Sequence, residues 1–278
     1  MMHSFSFPLD ETLTLRGDLH LSDDAKEQRP VLVFCHGFKG FKDWGSFPYA
    51  AEQLAKRGIA VIRINFSCNG VGESLTEFDE PEKFAVNTYA RELADLSALL
   101  RWLNDDQLPA SASLDKERLF VLGHSKGGGD AILFGANNPQ VRGIVTWNGI
   151  ANVNLFDAKL RAEIAQNGVG YILNGRTQQQ MPISKVVIED VDQNADAYDL
   201  LAKVSAMPQP LLIVQGDEDA VRLINGARQL HDAAPNSRLH WIEGAGHTFN
   251  TVHPFAGTTP QLEEAIDVTA QFVLDHSR

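Results

Sequence analysis

The residues Gly123-His124-Ser125-Lys126-Gly127 set a serine between two glycines, each two positions away. An apolar run, Leu119 to Leu122, precedes them and a helical pattern follows at once, which predicts a strand, an abrupt turn and a helix with Ser125 at the apex. So tight a bend leaves no room for neighbouring side chains, which accounts for the glycines. It lifts the serine hydroxyl off the end of the sheet and turns the Lys126 backbone N–H into the same space. A serine hydroxyl is a poor nucleophile at neutral pH. It needs a base to take its proton and a pair of donors for the oxyanion that forms. The chemistry to look for is acyl transfer.

The base is expected at His247, in Glu243-Gly244-Ala245-Gly246-His247, directly after the last strand pattern. Of the nine histidines, His36 and His124 sit inside tight turns and read as structural. His231 falls in a helix pattern and His240 in a strand pattern, while His3, His20 and His276 lie near the termini or in edge strands. His253 is the near rival, in a loop slightly farther downstream. An acid should fix the imidazole tautomer, and the stretch after Gly216 offers Asp217, Glu218 and Asp219. Asp219 begins the loop proper and is preferred over Asp217. The order serine, aspartate, histidine matches one of the convergent arrangements of this chemistry. The second oxyanion donor is expected from His36-Gly37-Phe38, where Gly37 lets the Phe38 N–H turn toward Ser125 and join that of Lys126.

These parts need a frame that brings strand ends together. Two alternating segments, Ser4 to Phe7 and Thr12 to Leu21, read as an antiparallel edge pair, and Asp23 to Pro30 as a charged turn. Val31 to Cys35 reads as a strand buried on both faces and Ala60 to Phe66 as the next strand, with a helix from Ser46 to Arg57 between them that stops at Gly58. Tyr89, Leu93, Leu96, Leu100 and Leu103 make one helical stripe. Helix Ser125 to Asn138 and strand Val141 to Trp147 follow the central strand. The alternation predicts an α/β fold with a doubly wound, mostly parallel sheet.

Regularity fails between Ile150 and Pro208. A helix is expected over Asp157 to Gln166, then a strand from Tyr171 ending in a tight Asn174-Gly175 turn, a β-rich run from Ile183 to Ile188, and a helix from about Asp196 to Ser205. Strand Pro210 to Val214, helix Leu223 to Ala233, strand Arg238 to Ile242 and helix Leu262 to Asp275 complete the frame. The expected organisation is a core of residues 1–149 and 209–278, with residues 150–208 a small cap inserted after the sixth strand of the main sheet.

At 278 residues the chain suits one large α/β domain with such an insertion. A net charge of −12 argues against nucleic acid and anionic membrane surfaces as partners. Two cysteines, Cys35 and Cys68, fit a reducing compartment and show no metal-ligand spacing. No basic leader precedes an apolar run and no stretch approaches a membrane span, so a cytoplasmic protein is expected, with neither cofactor nor metal and a small-molecule ester as partner.

The motifs at 36–38, 65–74, 123–127, 216–219 and 243–247 together resemble the α/β-hydrolase superfamily over nearly the whole chain. More narrowly they are similar to bacterial cinnamoyl/feruloyl esterases and serine-aminopeptidase-like hydrolases. The resemblance implies Ser125 as nucleophile, His247 as base and then acid, Asp219 as the orienting acid, and backbone oxyanion donors at Phe38 and Lys126. It implies a serine esterase acting through an acyl-enzyme, on aryl or cinnamoyl-type esters. A peptidase or amidase would share the same machinery, and a non-enzymatic binding module could share the fold. In the cap, Tyr171 and Met181 are expected to bind substrate, with Phe156, Ile172, Leu173 and Ile183 as further lining. Lys39, Lys42 and Lys126 lie in or beside the motif loops and could bias the site toward acidic substrates.

Overall fold

Alternate residues of the central strands pack on opposite faces of one sheet, and that alternation sets the layers. In the computed structural model, which describes residues 1–22 and 27–278, β1 (Met2–Pro8) and β2 (Thr14–His20) form an antiparallel edge pair, and β3 (Arg29–Cys35) leads to α1 (Phe47–Lys56) and β4 (Ala60–Asn65). The first residues of the expected charged turn, 23–26, lie outside those described. A short α2 (Pro81–Ala85), not foreseen, precedes α3 (Tyr89–Asn104); then come β5 (Leu114–His124), α4 (Lys126–Asn137) and β6 (Val141–Trp147). The chain leaves the sheet for α5 (Ala158–Asn167), β7 (Val169–Leu173), β8 (Gln180–Ser184), α6 (Lys185–Gln193) and α7 (Leu200–Ala206). It returns through β9 (Leu211–Gly216), α8 (Val221–Ala233), β10 (Ser237–Ile242) and α9 (Pro260–Asp275).

The eight-stranded sheet has the order β1-β2-β4-β3-β5-β6-β9-β10, antiparallel at β1–β2 and β2–β4 and parallel elsewhere. This is the α/β-hydrolase fold. Val31, Val33 and Cys35 join one apolar cluster with α3, α4 and α8, while Leu32 and Phe34 join a second with α1 and α9. Strands covered on both faces in this way are apolar throughout. Because β3, β5, β6 and β9 are parallel, their carboxyl ends open onto one rim, where ligands of such sheets bind.

The excursion after β6 differs in part from its sequence pattern. The Asn174-Gly175 pair does not make a two-residue turn; a six-residue loop joins β7 to β8, closed by Asn174 N–H donating to Gln179 O at 2.8 Å. The run Ile183 to Ile188 is strand only as far as Ser184. Beyond it α6 turns Val187, Ile188 and Val191 inward at helical spacing, so tertiary packing overrides β-branched propensity. Helix α7 starts at Leu200 rather than near Asp196, because the Asp199 carboxylate caps it by accepting from Ala202 N at 3.0 Å. Phe156, Met181, Ile183 and Val187 form a third apolar cluster with Phe41 and Phe84, over the loops at the sheet rim. Leu200 and Val204 of α7 pack instead into the main core. Both cysteines are buried and free, with burial raising each thiol, that of Cys68 to about 11.

Candidate active site

Ser125 stands between β5 and α4 with φ 57° and ψ −118°, a left-handed conformation that L-residues avoid. Neighbouring contacts hold it there. Ser125 N donates to Trp147 O at 2.9 Å, and its carbonyl accepts from Gly128 N at 3.0 Å and Ile150 N at 3.1 Å. The flanking glycines are a steric requirement: a Cβ on Gly123 would lie 1.8 Å from Gly127 O, and one on Gly127 would lie 2.4 Å from Cys35 O. Residues of four segments therefore meet at the elbow only because side chains are missing where backbones cross.

His247, in the loop after β10, places Nε2 3.1 Å from Ser125 Oγ and Nδ1 2.9 Å from Asp219 Oδ2. Asp219 follows β9 and its side chain is 2% exposed. Burial opposes its ionisation, but the hydrogen bond and charge of His247, with donation from Ala220 N at 2.6 Å and Gln215 Nε2 at 3.3 Å, hold its carboxyl below the usual range. A carboxylate on Nδ1–H leaves Nε2 with its lone pair toward the serine hydroxyl, the tautomer a base requires. Asp217 is occupied elsewhere, accepting from Gly244 N at 2.7 Å. Glu218 is exposed.

Two further side chains hold the His247 backbone: Asn148, not singled out in the sequence, and His124, expected to be structural. Asn148, buried after β6, donates from Nδ2 to His247 O at 2.8 Å while its Oδ1 accepts from Gly216 N at 2.8 Å, tying the ends of β6, β9 and β10 together. The His124 ring also meets His247 O, from Nε2 at 2.9 Å. Burial, with the neighbouring His247 ring, pushes His124 down to about 3, so it is neutral and donates from Nε2. His36 is neutral too, lowered to about 4 by burial; its Nδ1 donates to Gly37 O at 2.9 Å and Nε2 faces Phe66 N and Asn69 Nδ2. His253, the rival base, is turned away, with Nδ1 accepting from Gly45 N at 2.8 Å and its ring stacked on Trp44.

The Phe38 N–H, in the loop after β3, donates to no acceptor among the described residues. Lys126 N–H is the first of α4, where a helix leaves its amides free. Gly37 allows the close approach of these loops, since a Cβ on it would lie 3.0 Å from Ser125 Cβ. An open cavity of about 200 Å³ lies over the group, lined by Phe38, Trp44 and Phe47 together with Ser125 and His247.

The lysines separate. Lys42 is buried in ion pairs with Asp18 and Asp43 at 2.6 Å. Lys126 turns under the elbow to Glu92 and Asp130, with Nζ 3.9 Å from the Tyr89 ring centre. Neither faces the cavity, so the expectation that they bias it toward acidic substrates is corrected; Lys39 alone of the three lines it. In the Lys126 cluster burial works against both carboxyls. The lysine nevertheless keeps Glu92 ionised, whereas burial and the charge of Glu92 raise Asp130. Neither Tyr171 nor Met181 lines the cavity. Successive residues of β7 point to opposite sides, leaving Tyr171 52% exposed, whereas Met181 is consumed by the third apolar cluster. The residues that do reach the cavity from the β7–β8 loop are Asn174 and Arg176.

Geometry of this kind can pass a proton from the serine hydroxyl to Nε2 and receive a developing oxyanion at two amides. The profile of Hydrolase_4, serine aminopeptidase S33, matches residues 26–173, just over half of the chain. A 2-hydroxy-6-oxononadienedioate/2-hydroxy-6-oxononatrienedioate hydrolase of Cupriavidus pinatubonensis is 23% identical, with 82% of this chain and 84% of that protein aligned. Among solved structures, Est1E from Butyrivibrio proteoclasticus with ferulic acid bound superposes with a TM-score of 0.73 at 19% identity, covering 98% of each chain. A monoacylglycerol lipase of Paleococcus ferrophilus superposes with a TM-score of 0.66 at 14% identity, covering 99% of each. These structural likenesses speak to the fold.

Proposed function

Since the chain belongs to the serine aminopeptidase S33 (Hydrolase_4) family, a hydrolase family of the α/β-hydrolase superfamily, we propose that it is a serine esterase that cleaves carboxylic esters through an acyl-enzyme. The observation that carries this reading is the continuous chain Asp219–His247–Ser125, with its 2.9 Å and 3.1 Å contacts. In this reading Ser125 Oγ attacks the ester carbonyl as His247 Nε2 takes its proton. Asp219 stabilises the imidazolium, and the Phe38 and Lys126 amides receive the oxyanion. Collapse of the tetrahedral intermediate expels the alcohol, protonated by His247. Water, deprotonated by the same nitrogen, then releases the acid.

Support for an ester over the aminopeptidase reading comes from charge. An aminopeptidase binds a free α-ammonium group, which calls for a carboxylate beside the nucleophile. Among the described residues the cavity lining carries no aspartate or glutamate, and its charged residues Lys39 and Arg176 would repel such a substrate. A binding module is disfavoured because it has no use for the Asp219–His247–Ser125 chain of hydrogen bonds. The named relatives, a ferulate-binding protein, a monoacylglycerol lipase and a dioate hydrolase, act on or bind carboxylic acids and their derivatives, which suits acyl chemistry here. Comparing 4-nitrophenyl esters with aminoacyl 4-nitroanilides tests the proposal: esters should turn over and anilides should not, and preference for the anilides would overturn it.

A further inference from the structure

Three residues that line the Ser125 cavity carry side-chain nitrogen donors. Lys39 stands beside Phe38 in the loop after β3, while Asn174 and Arg176 belong to the loop between β7 and β8. Neither Lys39 nor Arg176 lies within ion-pair distance of a carboxylate among the described residues. Lys39 Nζ donates only to the Leu173 carbonyl, at 3.2 Å. The Arg176 guanidinium is held by the rings of Phe41 and Trp44, 5.6 Å and 5.8 Å from their centres, and makes one long contact, at 3.5 Å, to Lys39 O. Among the described residues its other side-chain N–H groups meet no acceptor.

Asn174 supplies a second, independent donor. The residue is 4% exposed, its Oδ1 accepts from Arg176 N at 3.2 Å, and its Nδ2 has no acceptor among the described residues. A buried amide left without a partner costs free energy, and native structures seldom leave one so. Burial lowers both cations, and Arg176 lowers Lys39 further, as expected of like charges facing each other. Glu77, whose field reaches Arg176, is exposed and is not part of the cavity lining.

We propose that these three residues recognise a free carboxylate on the substrate, so that the esters cleaved at Ser125 carry a second, unesterified acid group. A carboxylate offers acceptors in the planar arrangement that a guanidinium and a flanking amide can meet together. The apolar lining from Phe38, Trp44 and Phe47 takes the stem between the two carboxyl groups. This inference rests on the esterase reading for its chemistry but not for its binding, and the two can be tested apart.

The test compares mono-4-nitrophenyl adipate with its methyl-capped diester, which differs by one charge. For the wild-type protein kcat/KM should favour the free acid about tenfold, the effect of one charge-assisted hydrogen-bonded contact. Arg176→Gln should bring the ratio of free acid to capped ester close to one, Arg176→Lys should restore part of it, and added salt should lower it. Binding of the same two compounds to Ser125→Ala, measured by titration calorimetry, gives the preference without turnover. A wild-type protein that turns over neither ester while Ser125→Ala still prefers the acid would contradict the esterase reading and support this one. Absence of a binding preference, through equal affinity or none, or a preference unchanged in Arg176→Gln, overturns the carboxylate site.

Discussion

The His124 and His247 rings lie 4.9 Å apart, and His124 Nε2 donates to the backbone carbonyl of His247 while the His247 side chain spans Asp219 and Ser125. One histidine therefore holds the other from behind. The elbow that presents Ser125 also carries, one residue earlier, a group that fixes the loop of His247.

Asn148 completes that clamp, so Asn148→Ala should release the His247 loop from the ends of β6 and β9. Misplacing the base without removing it should lower kcat about tenfold to a hundredfold with KM little changed. Steady-state kinetics on a 4-nitrophenyl ester, with circular dichroism to show a native fold, decide this. An unchanged kcat would mean that His124 alone suffices.

The two nearby aspartates have separable roles. Asp219→Asn should cut kcat on the order of 10³–10⁴-fold, because an amide at Nδ1 favours the wrong imidazole tautomer. Asp217→Asn should leave kcat within about twofold and cost roughly 1 kcal/mol of stability through the turn it holds at Gly244. Equal losses from both variants would contradict the assignment of the acid.

The buried histidines should make stability fall as the pH drops below 6.5. His36 and His124 are lowered from 6.5 to about 4 and about 3 by burial, so the folded protein keeps them neutral while the unfolded chain protonates them. Their contribution is complete above pH 6.5 and is lost as pH falls through that value toward 4, at about 1.4 kcal/mol per pH unit for each histidine. Urea denaturation between pH 7.5 and 4.5 measures the slope, and His124→Gln should reduce it by about one proton. An equal slope in His124→Gln and the wild type would contradict the buried, neutral state. The wild-type slope alone also carries the opposing proton uptake of Asp95, whose carboxyl burial raises to about 6.

Lys126 should matter through its charge for folding and through its amide for chemistry. Lys126→Met leaves the Glu92 and Asp130 carboxyls buried without a cation and should cost about 3 kcal/mol. The variant keeps the N–H after Ser125, so kcat at a temperature where it remains folded should change far less than in Asp219→Asn. Loss of kcat without loss of stability would contradict this division.

Much of this was legible in the sequence where spacing is local. The glycines around Ser125, the loop histidine after the last strand and the acidic cluster after β9 each announce themselves within a few residues. What stayed hidden depends on distant partners. Lys42 and Lys126 each have one local partner, Asp43 and Asp130, but Asp18 and Glu92, which draw them into the fold, lie elsewhere in the chain. The strand expected through Ile188 gave way to α6, because the same β-branched residues also fit helical spacing once an apolar cluster waits on one side. Asn174 read as part of a tight turn with Gly175 and Arg176 was not singled out; only the longer loop brings both to the cavity. Asn148 carried no signal beyond its place at a strand end.

The central claim is that Ser125 is the nucleophile, and covalent labelling tests it most directly. Incubation with a fluorophosphonate, followed by intact-mass and peptide mass spectrometry, should show one adduct on the peptide containing Ser125. Labelling should vanish in Ser125→Ala and slow sharply in His247→Ala, with hydrolysis of 4-nitrophenyl esters lost in parallel. An unlabelled Ser125 in active protein, or ester turnover undiminished in Ser125→Ala, would contradict the account.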